Sequence, residues 1–248
     1  MTEFAASTSP VEDVVLFELG PIPVTRIIVV TWGVMLGLIL FAAFIRVRLR
    51  KKNPGRPQQV TEAMLNWLGD EIRGIIGRDP GPFIPLVASL FIFILASNYV
   101  SFILPFLSPF FGELKPPTAD IKTTAALAIV VFLAVPFYGI AMTGTLNYLK
   151  TYIRPVWIMA PFNIISDLSR TLALAVRLFG NILSGYILFG VIVTLVSPIV
   201  LPLLSQALMF LALITGTIQA YIFAVLTIVY IGGAVKVVAK HETEDKTQ

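Results

Sequence analysis

Apolar residues fall in long uninterrupted blocks along this chain, and the charges collect between them. From Ile27 to Ile45 no side chain is charged, which predicts a helix able to cross about 30 Å of hydrocarbon at about 1.5 Å per residue. Residues 60–76 follow another pattern: Met64, Leu65, Leu68, Ile72, Ile75 and Ile76 recur at helical spacing, with Glu62, Asn66, Asp70 and Arg73 opposite. That predicts an amphipathic helix too charged to span, lying flat at an interface with Trp67 at headgroup level, or else packed on a partner subunit. A second uncharged block runs from Pro80 to Gly112, with breaks expected at Pro105 and Pro109, and a third runs from Thr123 to Leu149. The last block enters at Pro161 and Asn163, is expected to turn near Ser197, Pro198 and Pro202, and leaves at Lys236 and Lys240, which makes two long helices. The expected fold is an all-α integral membrane protein of five membrane-embedded helices plus one interfacial amphipathic helix.

Composition narrows this further. With 57% hydrophobic and 13% charged residues, the chain lies outside the range of soluble domains. Continuous apolar blocks, without strand-like alternation, exclude an outer-membrane barrel. There is no cysteine, and the only histidine, His241, sits in the polar C-terminal segment, so disulfides, thiol chemistry, metal sites and redox cofactors are not expected. The net charge of +4 does not point to nucleic acid, because the cations flank hydrophobic spans and act as topology determinants. The densest group, Arg46, Arg48, Arg50, Lys51, Lys52 and Arg56, is expected in the cytoplasm, which places the N-terminus outside. Lys150, Arg154, Lys236 and Lys240 agree with a cytoplasmic C-terminus. Residues 1–25 carry Glu3, Glu12, Asp13 and Glu18 and no basic n-region, so the first span is expected to be retained. No internal repeat of the kind found in many secondary transporters is visible.

Between Thr171 and Val235 there is one full charge, Arg177. Inserting a guanidinium near the centre of a span costs roughly 2.5–3.5 kcal/mol on insertion scales, and Arg cannot shed its proton. An anion or water must compensate, yet no acid lies between Thr171 and Val235. The partner is therefore expected on another subunit. Helical spacing places Arg170, Leu174, Arg177, Asn181 and Ser184 in one stripe, while Gly180 and Gly185 allow a neighbouring helix to approach. Thr215 and Gln219 lie four apart on the last helix, and a hairpin would bring Gln219 near Arg177. The plain alternative is that Asn181, Thr215 and Gln219 only hydrogen-bond between helices, at about 0.6 kcal/mol each; for Thr215 that reading is preferred. Asp167 has two readings of equal weight, a bridge to Arg170 three residues on or a place along an ion path.

At this point the residues reach a known family. Arg177-Leu178-Phe179-Gly180-Asn181, preceded by Ile165-Ser166-Asp167-Leu168-Ser169-Arg170 and followed by Gln219-Ala220-Tyr221-Ile222-Phe223 and Leu226-Thr227-Ile228-Val229-Tyr230, closely resembles subunit a of F-type ATP synthases. The resemblance extends to Asn98 and to Pro117-Thr118-Ala119-Asp120, and covers most of the chain from residue 80 onward. It implies a non-catalytic, ion-translocating stator in the bacterial inner membrane, with no cofactor. Its partners would be a ring of c subunits, b-type peripheral stalk proteins and the rest of the complex. The last two helices would form a tilted hairpin against the c-ring, with Arg177 facing the ring carboxylates. The resemblance also assigns Asn181, Gln219, Asn98 and Asp120 to an outer half-channel, and Ser166 with the region around Asn163 to an inner one. It divides the chain into an external segment 1–26, a first membrane helix 27–46, a basic loop and interfacial helix 47–79, and an ion-conducting helical domain 80–248 that ends in a short cytoplasmic tail.

Departures from the family pattern bear on the ion. Many members have an acid nine residues after the arginine and His or Glu seven residues before the glutamine, whereas this chain has Tyr186 and Ala212. Asn163 stands where an acid is common and Lys122 where Asn is usual. With a reference pKa near 10, Tyr186 is a poor proton relay. H⁺ is expected from family frequency, and Na⁺, which needs oxygen ligands and no relay, is the alternative. Two further readings differ in class. A self-contained transporter or channel would carry its own counter-charge, and Asp120 and Asp167 sit only at predicted span ends. A purely structural assembly protein would tolerate loss of Arg177.

Overall fold

The computed structural model describes residues 15–19, 22–48, 55–111, 116–145, 148, 160–195 and 201–245. Six helices make up nearly all of it: α1 (Arg26–Arg48), α2 (Arg56–Ile76), α3 (Ile84–Phe111), α4 (Ile121–Thr143), α5 (Ala160–Leu195) and α6 (Leu201–Asp245). A 3-10 turn, Pro117–Ala119, leads into α4. The expected all-α chain also carries a short antiparallel ribbon, β1 (Val15–Leu19) with β2 (Ile22–Thr25), which the sequence reading did not foresee.

Among the described residues, four helical stretches are long and apolar enough to cross a membrane: Arg26–Arg48, Ile84–Ser101, Ile121–Met142 and Gln206–Val235. Five membrane-embedded helices were expected, and several side chains in the last third of α5 lie outside the described residues. At about 1.5 Å per residue, the 36 residues of α5 and the 45 of α6 measure about 54 and 68 Å. Neither fits upright within about 30 Å of hydrocarbon.

The core gathers around α6. Ala220, Phe223, Ala224, Ile228, Ile231 and Val235 are all buried, and they pack with Phe83, Val87, Phe91 and Ile94 of α3, Val131 of α4, and Leu174 and Leu178 of α5. Helix α2 turns the predicted stripe inward: Leu68, Ile72 and Ile76 are buried in this same core. Trp67 lies between the rings of Phe91 and Tyr221, with centroids 5.9 and 5.5 Å away. Gly77, at φ 75°, ends α2 by donating its N–H to the Arg73 carbonyl, a left-handed cap suited to glycine. The opposite situation holds on α1, where Trp32, Leu36, Ile39, Leu40 and Phe44 are exposed and only Ile27 and Val34 are buried.

Two boundaries differ from expectation. Helix α3 continues through Pro105 and Pro109 to Phe111. Apolar spans tolerate such prolines where local adjustment satisfies the freed carbonyls. Helix α4 stops at Thr143, before the expected Leu149, because Gly144 takes φ 84° and donates its N–H to the Ile140 carbonyl. At the other end of the chain, helix α6 runs on to Asp245, while its apolar stretch ends at Val235, just before Lys236, where the last block was expected to end. The expected turn at Ser197 and Pro198 lies outside the described residues, as do Arg50, Lys51, Lys52, Glu113, Lys115, Lys150 and Arg154.

Candidate functional site

Arg177 sits on the exposed side of α5 while its neighbours in sequence anchor the helix. Leu174 is 1% exposed and Leu178 is fully buried, both packed in the core. The guanidinium itself is exposed and makes no ion pair or hydrogen bond among the described residues. At 100° per residue the stripe Arg170, Leu174, Arg177, Asn181, Ser184 covers about 80° of the helix surface. It therefore straddles the edge of the core. Ser184, Arg177 and Arg170 lie outside that edge, Asn181 is half-buried on it, and Leu174 is inside. A Cβ built at Gly180 or Gly185 would meet nothing within 4 Å among the described residues.

Two turns before Arg177, the other cation of the stripe is partnered. Arg170 Nη1 lies 3.4 Å from Asp167 Oδ1, and its guanidinium carbon lies 5.9 Å from the centroid of the Tyr230 ring on α6. Asp167 thus forms the local bridge, one of its two readings. Ser166 and Asn163, a turn earlier, are half-buried.

A buried polar group lies where α3, α6 and the 3-10 turn meet. Asn98 is 4% exposed, and both ends of its amide are engaged. Its Nδ2 donates to the Gly216 carbonyl at 2.8 Å, and its Oδ1 accepts from Thr118 Oγ1 at 3.0 Å. Thr118 is fully buried, as is Ser97, whose hydroxyl has no hydrogen-bond partner among the described residues. Gln219, three residues beyond Gly216, is buried, with Nε2 likewise unpartnered among them. A buried amide left so is costly, by about 1–3 kcal/mol, and calls for water or a ligand.

The remaining candidates serve their own helices. Asp120 caps α4 by accepting from the Lys122 N–H at 3.0 Å. The Thr215 hydroxyl donates to the Leu211 and Ala212 carbonyls of its own helix, and Ser184 donates to the Asn181 carbonyl. Gln219 and Arg177 are not hydrogen-bonded to each other: one faces inward from α6 and the other outward from α5. The Tyr186 side chain lies outside the described residues. Sequence reasoning passed over Thr118, Gly216 and Ser97. Thr118 was within reach as part of the Pro117-Thr118-Ala119-Asp120 motif, whereas nothing local marks a glycine on α6 as the acceptor for an amide on α3.

Comparison with known proteins adds to this geometry. The family model described as ATP synthase A chain matches residues 28–232. The chain is 40% identical over 234 residues to ATP synthase subunit a 2 of Bradyrhizobium sp., covering 94% of this chain and 99% of that protein. It is 42% identical over 226 residues to ATP synthase subunit a 1 of Chlorobium luteolum, with 91% and 96% covered. To ATP synthase subunit a of Albidiferax ferrireducens it is 39% identical over 229 residues, with 91% and 93% covered.

Proposed function

The chain belongs to the ATP synthase A chain family, and from that premise we propose that it is the ion-translocating stator subunit of a rotary ATP synthase, working against a ring of carboxylate-bearing c subunits. With its apolar helices it is a multi-pass membrane protein. The observation that carries the reading is Arg177, an exposed guanidinium with no hydrogen-bond or ion-pair partner among the described residues, on a helix where Leu174 and Leu178 are locked in the core.

A ring carboxylate is carried through lipid in neutral form, since an ionised carboxylate alone in hydrocarbon is prohibitively costly. Opposite Arg177 its charged form is favoured, so the ring site releases its ion there. The fixed positive charge also repels cations that would otherwise cross directly between the two access paths. Membrane potential, about 2.3 kcal/mol per charge per 100 mV, gives rotation its direction. Asn181, Gln219, Asn98 and Asp120 belong to the outer access path, with Ser184, Tyr186 and Thr215 along it. Ser166, Asn163 and Asp167 belong to the inner one. The N-terminal segment faces outward, the basic loop after α1 and the C-terminus face the cytoplasm, and b-type stalk proteins hold the chain still. Bond chemistry on ATP takes place elsewhere in the complex.

The test is Arg177→Ala in the whole complex reconstituted into liposomes. ATP synthesis driven by an ion gradient is expected to fall below detection with assembly unchanged. Normal synthesis in that variant would overturn the reading.

A second reading changes the ion. The buried polar group contains amide and hydroxyl oxygens and no acid or histidine: Ser97, Asn98, Thr118 and Gln219. Tyr186 and Ala212 stand where titratable relays are usual. Oxygen donors without a relay suit Na⁺. If Na⁺ is carried, millimolar Na⁺ protects the ring carboxylate from carbodiimide and ATP hydrolysis drives ²²Na⁺ uptake; a proton carrier shows neither.

A further inference from the structure

Asn98 spends a bond from each end of its amide on the fold. One amide end is committed to the 3-10 turn through Thr118, 20 residues away, and the other to the α6 backbone at Gly216, 118 residues away. Ser101 Oγ donates to the Asn98 backbone carbonyl as well. The Gly216 contact is close: a Cβ there would sit 3.1 Å from Asn98 Cβ and 3.2 Å from its Cγ and Nδ2, so the Asn98 side chain would have to shift by a few tenths of an ångström. On α6, residues 216, 219, 220 and 223 share the inward face, so the carbonyl that Asn98 holds is less than one turn from Gln219. Any slip or rotation of α6 at Gly216 carries Gln219 with it.

We propose that Asn98 is a positioning residue, not a ligand of the moving ion: with Thr118 and Gly216 it forms a buried latch that fixes the register of α6 and so the placement of Gln219. This rests on the reading of Gln219 as part of an ion path. The latch is all-or-none in character, because releasing either hydrogen bond leaves a buried polar group unsatisfied.

Two variants break the latch while leaving the Asn98 and Gln219 amides in place. Thr118→Val keeps shape and removes the donor to Asn98. Gly216→Ala presses on the Asn98 amide at 3.1–3.2 Å and is expected to weaken its bond to the carbonyl. In the full complex reconstituted into liposomes, with flux expressed per assembled complex, each is expected to lower ion-driven ATP synthesis by about tenfold, the scale of one lost buried hydrogen bond. The combined variant should be no worse than the weaker single one, and Thr118→Ser, which keeps the donor, should restore most of the flux. Unchanged flux in Thr118→Val and Gly216→Ala beside a dead Asn98→Ala would show Asn98 acting on the ion itself and overturn the latch. Independent losses that multiply in the combined variant would do the same. Should Thr118→Val not assemble, Gly216→Ala and Thr118→Ser carry the comparison. Arg177→Ala, run in parallel, reports on the stator reading separately, since coupled synthesis in that variant removes the premise while leaving the latch comparison readable.

Discussion

Two adjacent residues on α5 do different work, and they can be separated by substitution. Leu178 is fully buried and Arg177 is exposed without a hydrogen-bond or ion-pair partner among the described residues. Leu178→Ala removes core contacts and is expected to cost about 2–5 kcal/mol, visible as a lowered melting temperature of the detergent-solubilised complex. Arg177→Ala removes no hydrogen bond or ion pair among the described residues, so its melting temperature should stay at the wild-type value while coupled ion flow is lost. A destabilised Arg177→Ala would mean that the guanidinium has a structural partner. Arg177 was legible in the sequence because a lone charge in an apolar run needs an explanation. The Asn98 latch was not, since its partners are 20 and 118 residues distant and only helix packing decides which way a neutral amide points. Periodicity likewise grouped Leu174 with Arg177, but an 80° stripe cannot say where the edge of the core will fall.

At the scale of elements, α2 shows what an amphipathic pattern specifies and what it leaves open. The spacing of Leu68, Ile72 and Ile76 correctly predicted a helix with one apolar face, and its ends are set by Pro57 in the first turn and Gly77 after the last. What the pattern could not choose was the surface that face would meet, because a lipid interface and a protein groove accept the same residues. In the structure the stripe is buried against α3 and α6. Ile72, with no exposed area, is the centre of that contact. Ile72→Asp should release α2 from the bundle, read as faster amide exchange across residues 56–76, while an exchange rate equal to wild type would place the helix's anchor elsewhere. Gly77→Ala should cost about 1 kcal/mol through its left-handed backbone, a smaller effect confined to the last turn. The early end of α4 has the same kind of cause. The apolar run from Thr123 to Leu149 is continuous, but backbone geometry at Gly144 overrides hydropathy.

For the molecule as a whole, the informative feature is how little of its apolar surface the chain covers by itself. Leu36 of α1 is 58% exposed, and Trp32, Ile39 and Leu40 beside it are similarly open. In a water-soluble protein such a leucine would tolerate replacement by lysine, since an exposed position loses little packing and gains solvation. In a bilayer the same change sets a charge near the middle of a span, at about 2.5–3.5 kcal/mol. Leu36 lies near the centre of Arg26–Arg48, whereas Val47, 85% exposed, lies at its end, where a lysine side chain can reach the headgroups. Leu36→Lys is therefore expected to reduce the chain recovered in carbonate-washed membranes severalfold, and Val47→Lys to leave it unchanged. Burial does not separate these two positions, since both are open in the folded chain, so only the depth of each along a membrane-spanning helix predicts a difference. Equal recovery of the two variants would mean that the exposed face of α1 meets water, and α1 would no longer count as a membrane-spanning helix.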